Sequence, residues 1–345
     1  MAGEIRVIIC GLGPIGQGIA RKALAAEGLK VVGATDVSPT YAGKELGAIL
    51  GLPKSLRMRV EGDPKKLLRK AKAQVAIVCT GSSVRAVKPL VLALVQKGLN
   101  VVTTCEEMAF PAPAHEGMLR DIDRLARAKK VSVLGTGVNP GFVMDALALM
   151  LTAPCTSVNR VSVTRVVDAA SRRLPLQRKV GAGLNLAQFR RALTEGAVRH
   201  VGLLESAHMI ASGLGWKLDK VDEQIEPAIA PRDLDTDYLR VPAGAAAGIK
   251  QSARGYRNGD LAVSLDLQMY VGAESPRDHI LVDGDPRIDV TIAGGLPGDV
   301  ATGAIVINSI PKLLMAPAGL VTMKDLPLVH HLNPHDAKKV PAKKR

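Results

Sequence analysis

The sequence predicts an α/β fold: a doubly wound parallel sheet, followed by a second, α+β part on a mixed sheet. Three observations carry that prediction. In the first 140 residues, apolar runs of four to six residues alternate with segments of helical period. Buried parallel strands and the helices that cover them have that texture. A turn of spaced glycines joins the first of these runs to the first helix. Beyond residue 140 the runs lengthen and alternate polar with apolar, as strands with one solvated face do.

In order along the chain, Ile5–Cys10 reads as a strand and the stretch to about Glu27 as an Ala-rich helix. Val31–Thr35 is a second strand ending on Asp36, and Val75–Cys79 a third, followed by a helix over Val84–Gln96. Strand Asn100–Thr104, helix His115–Lys129 and strand Val131–Leu134 complete the parallel set. In the second part Arg160–Val167 and Leu261–Val271 are strands, with helices over Leu186–Leu193 and Val201–Leu214 between them. Asp278–Ile292 holds two more strands around the turn Val282–Pro286. Thr302–Met315 is a helix that Pro311 is expected to bend or shorten. The domains predicted are 1–140, 141–300, a final helix within 301–330 packing back on the first domain, and a basic tail, 331–345, read as disordered.

Composition agrees with two domains: 345 residues, 47% hydrophobic, and only 2% aromatic, so Ala, Val, Leu and Ile must fill the core. The net charge of +14 lies partly in the tail, at Lys338, Lys339, Lys343, Lys344 and Arg345. The other basic residues are scattered through helices without interleaved aromatics, which reads as solvated faces and not as a nucleic-acid surface. Cys10, Cys79, Cys105 and Cys155 are far apart with no metal-ligand spacing, so a reduced, cytoplasmic chain without a bound metal is expected. The N-terminus has no signal-peptide core, and no uncharged apolar run approaches the ~18 residues that span a bilayer.

Gly11, Gly13 and Gly16 form G-x-G-x-x-G directly between a strand and a helix, and Asp36 closes the next strand twenty residues after Gly16. That context makes the motif a Rossmann dinucleotide site. Gly11 permits the tight turn, Gly13 the approach of a pyrophosphate, and Gly16 close helix–strand packing. The backbone at Pro14 and Ile15 opens the helix whose N-terminus faces the phosphates. Asp36 suits the ribose hydroxyls and would repel a 2′-phosphate. Val37, Ser38 and Pro39 offer no Arg, so NAD is favoured, with NADP as the second option. Thr80, Gly81 and Ser82 follow the third strand at its carboxyl end, where they would line the nicotinamide-side ribose and phosphates, unless they form a plain strand-to-helix turn.

Several further blocks occur in order: Thr104-Cys105-Glu106-Glu107-Met108, Gly135-Thr136-Gly137-Val138-Asn139-Pro140-Gly141-Phe142, Thr164-Arg165-Val166-Val167-Asp168, Lys179-Val180-Gly181-Ala182-Gly183, His200-Val201-Gly202-Leu203-Leu204-Glu205-Ser206 and Gly248-Ile249-Lys250-Gln251. Together with the glycine turn they resemble the 2,4-diaminopentanoate dehydrogenases and native amine dehydrogenases, within the wider dihydrodipicolinate-reductase-like group. The resemblance runs to about Leu326. It implies oxidative deamination of a primary amine or, in reverse, reductive amination of a ketone with ammonia. A nicotinamide cofactor, a substrate domain on a mixed sheet and a homodimer are implied with it. Dihydrodipicolinate reductase itself carries a His-His pair ahead of Lys-x-Asp-Ala-Pro-Ser-Gly-Thr. This chain has Lys179-Val180-Gly181-Ala182-Gly183 in the comparable region, and its His330-His331 pair lies near the end. A cyclic-imine reductase is thus the second enzyme reading, and an NAD-binding sensor without turnover the reading from another class.

Amine–carbonyl interconversion passes through an iminium, so a carboxylate near the reacting nitrogen can stabilise charge and move protons. Glu106 and Glu107, just past a strand's carboxyl end, are the candidates; the resemblance favours Glu106, and a solvated acidic pair is the bland alternative. Asn139 is a candidate for the nicotinamide carboxamide or a substrate oxygen, or a turn former. Phe142 is a pocket wall or core. Arg165 matches the family's strand arginine and would meet a substrate carboxylate; otherwise it would pair with an acid such as Asp168. His200 and His208 read as structural, Lys179 and Lys250 as carboxylate ligands or surface charges, and the directions of Thr302 and Asn308 stay open.

Overall fold

The structure, a computed structural model, describes residues 4–333. Residues 334–345, most of the predicted basic tail, lie outside the described residues. The chain divides into two compact units: one runs to Phe142 and resumes at Pro297, and the other is Val143–Leu296.

The first stretch lays down β1 (Ile5–Cys10), α1 (Pro14–Ala25), β2 (Leu29–Thr35), α2 (Leu46–Ile49), α3 (Pro64–Lys70), β3 (Val75–Val78), α4 (Val84–Gln96), β4 (Asn100–Thr103), a 3-10 turn (Glu106–Met108), α5 (Glu116–Lys129) and β5 (Ser132–Gly135). The second unit holds α6 (Ala146–Leu151), β6 (Ser157–Asp168), α7 (Leu174–Lys179), α8 (Leu186–Thr194), α9 (Leu203–Gly213), β7 (Lys220–Ile229), β8 (Leu234–Asp235), β9 (Arg240–Val241), β10 (Ala246–Arg257), β11 (Asp260–Tyr270), β12 (Arg277–Asp285) and β13 (Ile288–Ala293). The chain then returns to the first unit with α10 (Gly298–Met315), β14 (Gly319–Val321) and a second 3-10 turn (Met323–Asp325).

The sheet of the first unit runs β14-β5-β4-β3-β1-β2 with every pair parallel. β3, β4 and β5 are buried at every position, which is why they read as unbroken apolar runs. Strand order reverses at β1 and β3, the place in an open α/β sheet where a crevice forms beyond the carboxyl ends. The ladder continues past those ends: Gly11 N donates to Thr35 O, Cys79 N to Cys10 O, Thr104 N to Val78 O and Thr136 N to Thr103 O, all at 2.7–3.0 Å. Each loop at that edge therefore leaves the sheet in register with its neighbour.

The second unit is a mixed sheet of order β13-β12-β6-β11-β10-β7, in which only β6 and β11 pair in parallel. α9 packs on β7, β10 and β11, and α6 on β12. Two of its strands, β7 and β10, are absent from the sequence reading. β7 carries Asp222, Glu223, Glu226 and Pro227 at the sheet's edge, where water and a missing N–H are tolerated. β10 opens in an Ala- and Gly-rich segment of low strand propensity and is held by its neighbours.

Pro311 does not end or shorten the last helix, which starts at Gly298 and runs through it to Met315. A proline inside a helix costs about 3 kcal/mol. Burial of Ile305, Val306, Ile310 and Leu313 against α1, β4 and β5 outweighs that, at about 1.5–3 kcal/mol per side chain. No helix of the described residues is long and apolar enough to cross a membrane.

Candidate active site

The site starts at the glycine turn. Gly11 has φ +95°, and a Cβ there would lie 2.7 Å from the Cys79 carbonyl oxygen. A Cβ on Gly16 would lie 2.0 Å from the Gly11 oxygen, so α1 can meet β1 this closely only through glycine. Gly13 differs: its Cβ would meet nothing within 4 Å. No packing inside the protein explains that glycine, whereas a pyrophosphate against the backbone would. α1 begins on Gly13 with Pro14 in its first turn, no side-chain cap and no acidic residue, so the N–H groups at Ile15 and Gly16 head an uncapped helix end.

A cleft of about 240 Å³ lies beside this turn, lined by Gly11, Gly13, Asp36, Val37, Cys79 and Thr80 among others. Asp36 is fixed under it: its Oδ2 accepts from Leu12 N at 2.6 Å and its Oδ1 from Ser38 N at 2.8 Å. Burial pushes the Cys79 thiol up to about 12, opposed by a hydrogen bond with Thr104, so this wall of the cleft stays uncharged. An open helix end, a glycine with no steric partner and an acid held at the end of β2 together fit a dinucleotide.

The next loop carries Thr80 and Gly81, both exposed, and half-buried Ser82. Ser83 is the N-cap residue of α4 but makes no side-chain capping bond. The bond comes from elsewhere: Glu107 Oε2 accepts from Val84 N at 2.8 Å. Glu107 N also donates to Ser82 O at 3.3 Å, and His115 Nε2 lies 3.7 Å from the same Oε2. The structure thus separates the two adjacent glutamates by giving Glu107 a capping task. Both sit beside Cys105, whose thiol is pushed up first by burial and then by their charges. Gly135 makes room for this turn, because a Cβ there would fall 2.4 Å from the Met108 backbone.

Beyond β5 the chain forms a tight loop with a cis Asn139–Pro140 bond and Gly141 at φ +120°. Val138 N donates to Thr302 Oγ1 of α10 at 3.2 Å, which gives Thr302 its direction. Asn139 Oδ1 and Nδ2 are buried without a hydrogen-bond partner, as is Thr136 Oγ1. A native protein rarely leaves a buried amide wholly unsatisfied, since each orphaned group costs about 1–3 kcal/mol. A carboxamide presents the matching donor and acceptor. Phe142, half-buried, follows on the same segment. Asn308 accepts from Leu332 N at 2.9 Å and so serves the fold.

In the second unit, Arg165 Nη1 donates to Asp278 at 2.5 Å and Nη2 to the Leu296 carbonyl at 2.6 Å; the pair is 3% and 0% exposed. The acid it meets is Asp278, not Asp168, because β12 and β6 set Asp278 opposite Arg165. His200 is pushed down to about 3, by burial first and then by Lys179, Arg165 and Arg199, so its ring is neutral at ordinary pH. His200 Nδ1 is buried without a partner, while Gln251 ties its backbone at 2.8 and 2.9 Å. Burial also lowers His208. Lys250 is exposed on β10. No group of three or more His, Cys, Asp or Glu among the described residues is arranged to hold a metal ion.

The parallel sheet, the open glycine turn and Asp36 define the class: an NAD(P)-dependent oxidoreductase. Residues 142–341 match the family model described as 2,4-diaminopentanoate dehydrogenase C-terminal domain, and residues 5–107 the one described as dihydrodipicolinate reductase, N-terminus. Over 336 residues the chain is 32% identical to the 2,4-diaminopentanoate dehydrogenase of Acetoanaerobium sticklandii, covering 94% of each. It is 21% identical to an amine dehydrogenase of Streptomyces virginiae, over 94% of this chain and 96% of that one. The solved amine dehydrogenase of Mycobacterium smegmatis shares the fold, with a TM-score of 0.85 at 21% identity over 96% of this chain and 98% of that chain. The chain belongs to the 2,4-diaminopentanoate dehydrogenase family.

Proposed function

We propose that this enzyme interconverts a primary amine and a carbonyl compound plus ammonia, with NAD as its preferred cofactor. The observation that carries the reading is the acidic turn at the end of β4, between the β3 loop of the dinucleotide cleft and the β5 loop of Asn139. Bound NAD supplies the hydride acceptor. Gly11, Gly13, Pro14, Ile15 and Gly16 seat the phosphates, with Thr80, Gly81 and Ser82 beside them. Asp36 receives the ribose hydroxyls, and the absence of a basic residue at Val37 or Ser38 is what favours NAD over NADP. The orphaned amide of Asn139 orients the carboxamide or the substrate oxygen.

Glu106 is the acid–base group in this reading, as the resemblance favours it, while Glu107 caps α4. Its carboxylate faces the positive charge that develops as the amine carbon loses hydride. Glu106 then takes a proton from the water that adds to that carbon, returns it to the nitrogen leaving as ammonia, and accepts the hydroxyl proton as the carbonyl forms. Phe142 keeps its proposed place as an apolar wall. For Arg165, Asp278 and Leu296 hold two of the five N–H groups, and the others are those a substrate carboxylate would use.

The four cysteines are unpaired, which accords with the proposed cytoplasmic location. The homodimer implied by the resemblance is proposed with it, and light scattering of the purified chain decides it. The chemistry is tested by NADH oxidation with ammonium and a panel of ketones and oxo acids. Turnover should require ammonium. Glu106→Gln should lower kcat by about 10²–10⁴-fold with NADH binding intact. Turnover that ignores ammonium would replace the reading with a ketone or imine reductase.

A further inference from the structure

We propose that Glu107 is a positioning residue: a carboxylate clamp that fixes the Glu106 turn to the start of α4, so that the cofactor loop and the acid–base group are held as one piece. The inference rests on the reading of Glu106 as the acid–base group.

A helix start leaves N–H groups unsatisfied and carries the positive end of the helix dipole. Serine is among the best residues to answer that need. α4 has Ser83 at the N-cap, yet Ser83 makes no capping bond, and Glu107, 23 residues after Val84, makes it instead. A local cap would have stabilised α4 equally well. The distant one adds something the local one cannot, a tie between two loops that leave different strands. The tie is two-sided, since Val84 N donates to Glu107 Oε2 and Glu107 N donates to Ser82 O. His115, the N-cap residue of α5, brings its Nε2 to 3.7 Å from the same oxygen. The Glu107 and His115 side chains are only 18% and 21% exposed, so the junction is partly shielded from solvent screening. One carboxylate therefore joins the starts of α4 and α5 to the turn that carries Glu106. The Glu107 carboxylate also occupies the α4 end, so α1 is the helix end left to the dinucleotide phosphates.

The test uses the full chain as wild type, Glu107→Ala, Glu107→Gln and Glu106→Gln. Three quantities are read: amide exchange at residues 83–85, the NADH dissociation constant, and kcat. In Glu107→Ala, protection at Val84 should fall about tenfold, the size of a lost helix cap. NADH binding should weaken and kcat should drop with it. Glu107→Gln keeps an oxygen that accepts from Val84 N, and should restore all three to within about threefold of wild type. Glu106→Gln should lose turnover while Val84 protection and NADH affinity stay unchanged. The clamp is overturned if Glu107→Gln loses turnover as Glu106→Gln does with exchange unaltered, for Glu107 is then the proton carrier. It is equally overturned if Glu107→Ala leaves exchange and NADH binding as they were. Absence of ammonium-dependent turnover in the wild type would sink the proposed function alone, since exchange and NADH binding still decide the clamp.

Discussion

Two helices of the first unit start at the carboxyl edge of the same sheet, and they treat their N-termini in opposite ways. α1 begins on Gly13, with no capping side chain, no acid in its first turn and open space where a Cβ would be. α4 begins on a serine fit to cap it, yet takes a carboxylate from the next loop. An unsatisfied helix end with empty space before it is a seat for an anion from outside. A helix end satisfied by its own chain is a joint. The same distinction divides two adjacent glutamates, only one of which is assigned to the joint.

The contrast can be broken at several points. The largest effect should come from Gly16→Ala, which puts a methyl group 2.0 Å from the Gly11 oxygen and forces α1 off β1. Denaturant unfolding should register a loss of about 3 kcal/mol, and a stable variant would mean the turn is looser than described. A second test asks whether an unpartnered group outside the helix ends behaves as a burial cost. His200 has a pKa of about 3 in the folded chain, below its ordinary 6.5. The unfolded chain therefore binds the proton first, and the stability lost grows as pH falls from 6.5 toward 3. Between pH 7 and pH 5 the wild type should lose about 2 kcal/mol more than His200→Gln. Parallel acid limbs would contradict the buried neutral ring.

Gly13→Val sharpens the comparison directly. The Cβ it adds meets nothing within 4 Å, so melting should move by the N-cap preference, about 1 kcal/mol. NADH affinity should fall tenfold or more, about 1.4 kcal/mol. Unchanged NADH binding would remove the phosphates from this seat. The smallest effect belongs to Ser83→Ala. A working cap is worth about 1 kcal/mol, but Ser83 makes no such bond, so calorimetry should find less than about 0.5 kcal/mol. A full-sized loss would return the cap to the serine.

The sequence made much of this legible and left the rest hidden for physical reasons. β1, α1, α4 and β3 to β5 are local in their signals: runs, periods and a glycine turn. β7 and β10 are not, because an edge strand with acids and an Ala-rich central strand depend on their partners for definition. The candidate residues were visible as residue types at strand ends. Their roles were not: Glu107 is defined by Val84, and Arg165 by a register that brings Asp278 from 113 residues away. Thr302 could be oriented only once α10 was placed beside the Asn139 loop. Gly135 left a fainter trace, as one more glycine at a strand end, and its purpose appears only against Met108.

The interrupted course of the first unit has a consequence for the order in which the chain can fold during synthesis. β14 pairs with β5, and α10 lies against α1, β4 and β5, yet both are made after the whole of Val143–Leu296. The unit that begins first is finished last, and the inserted unit has all its residues while its host still lacks an edge strand and a covering helix. Domains form as units while the chain emerges. A ribosome making this enzyme therefore carries a closed second unit beside a first one whose sheet waits for Val321.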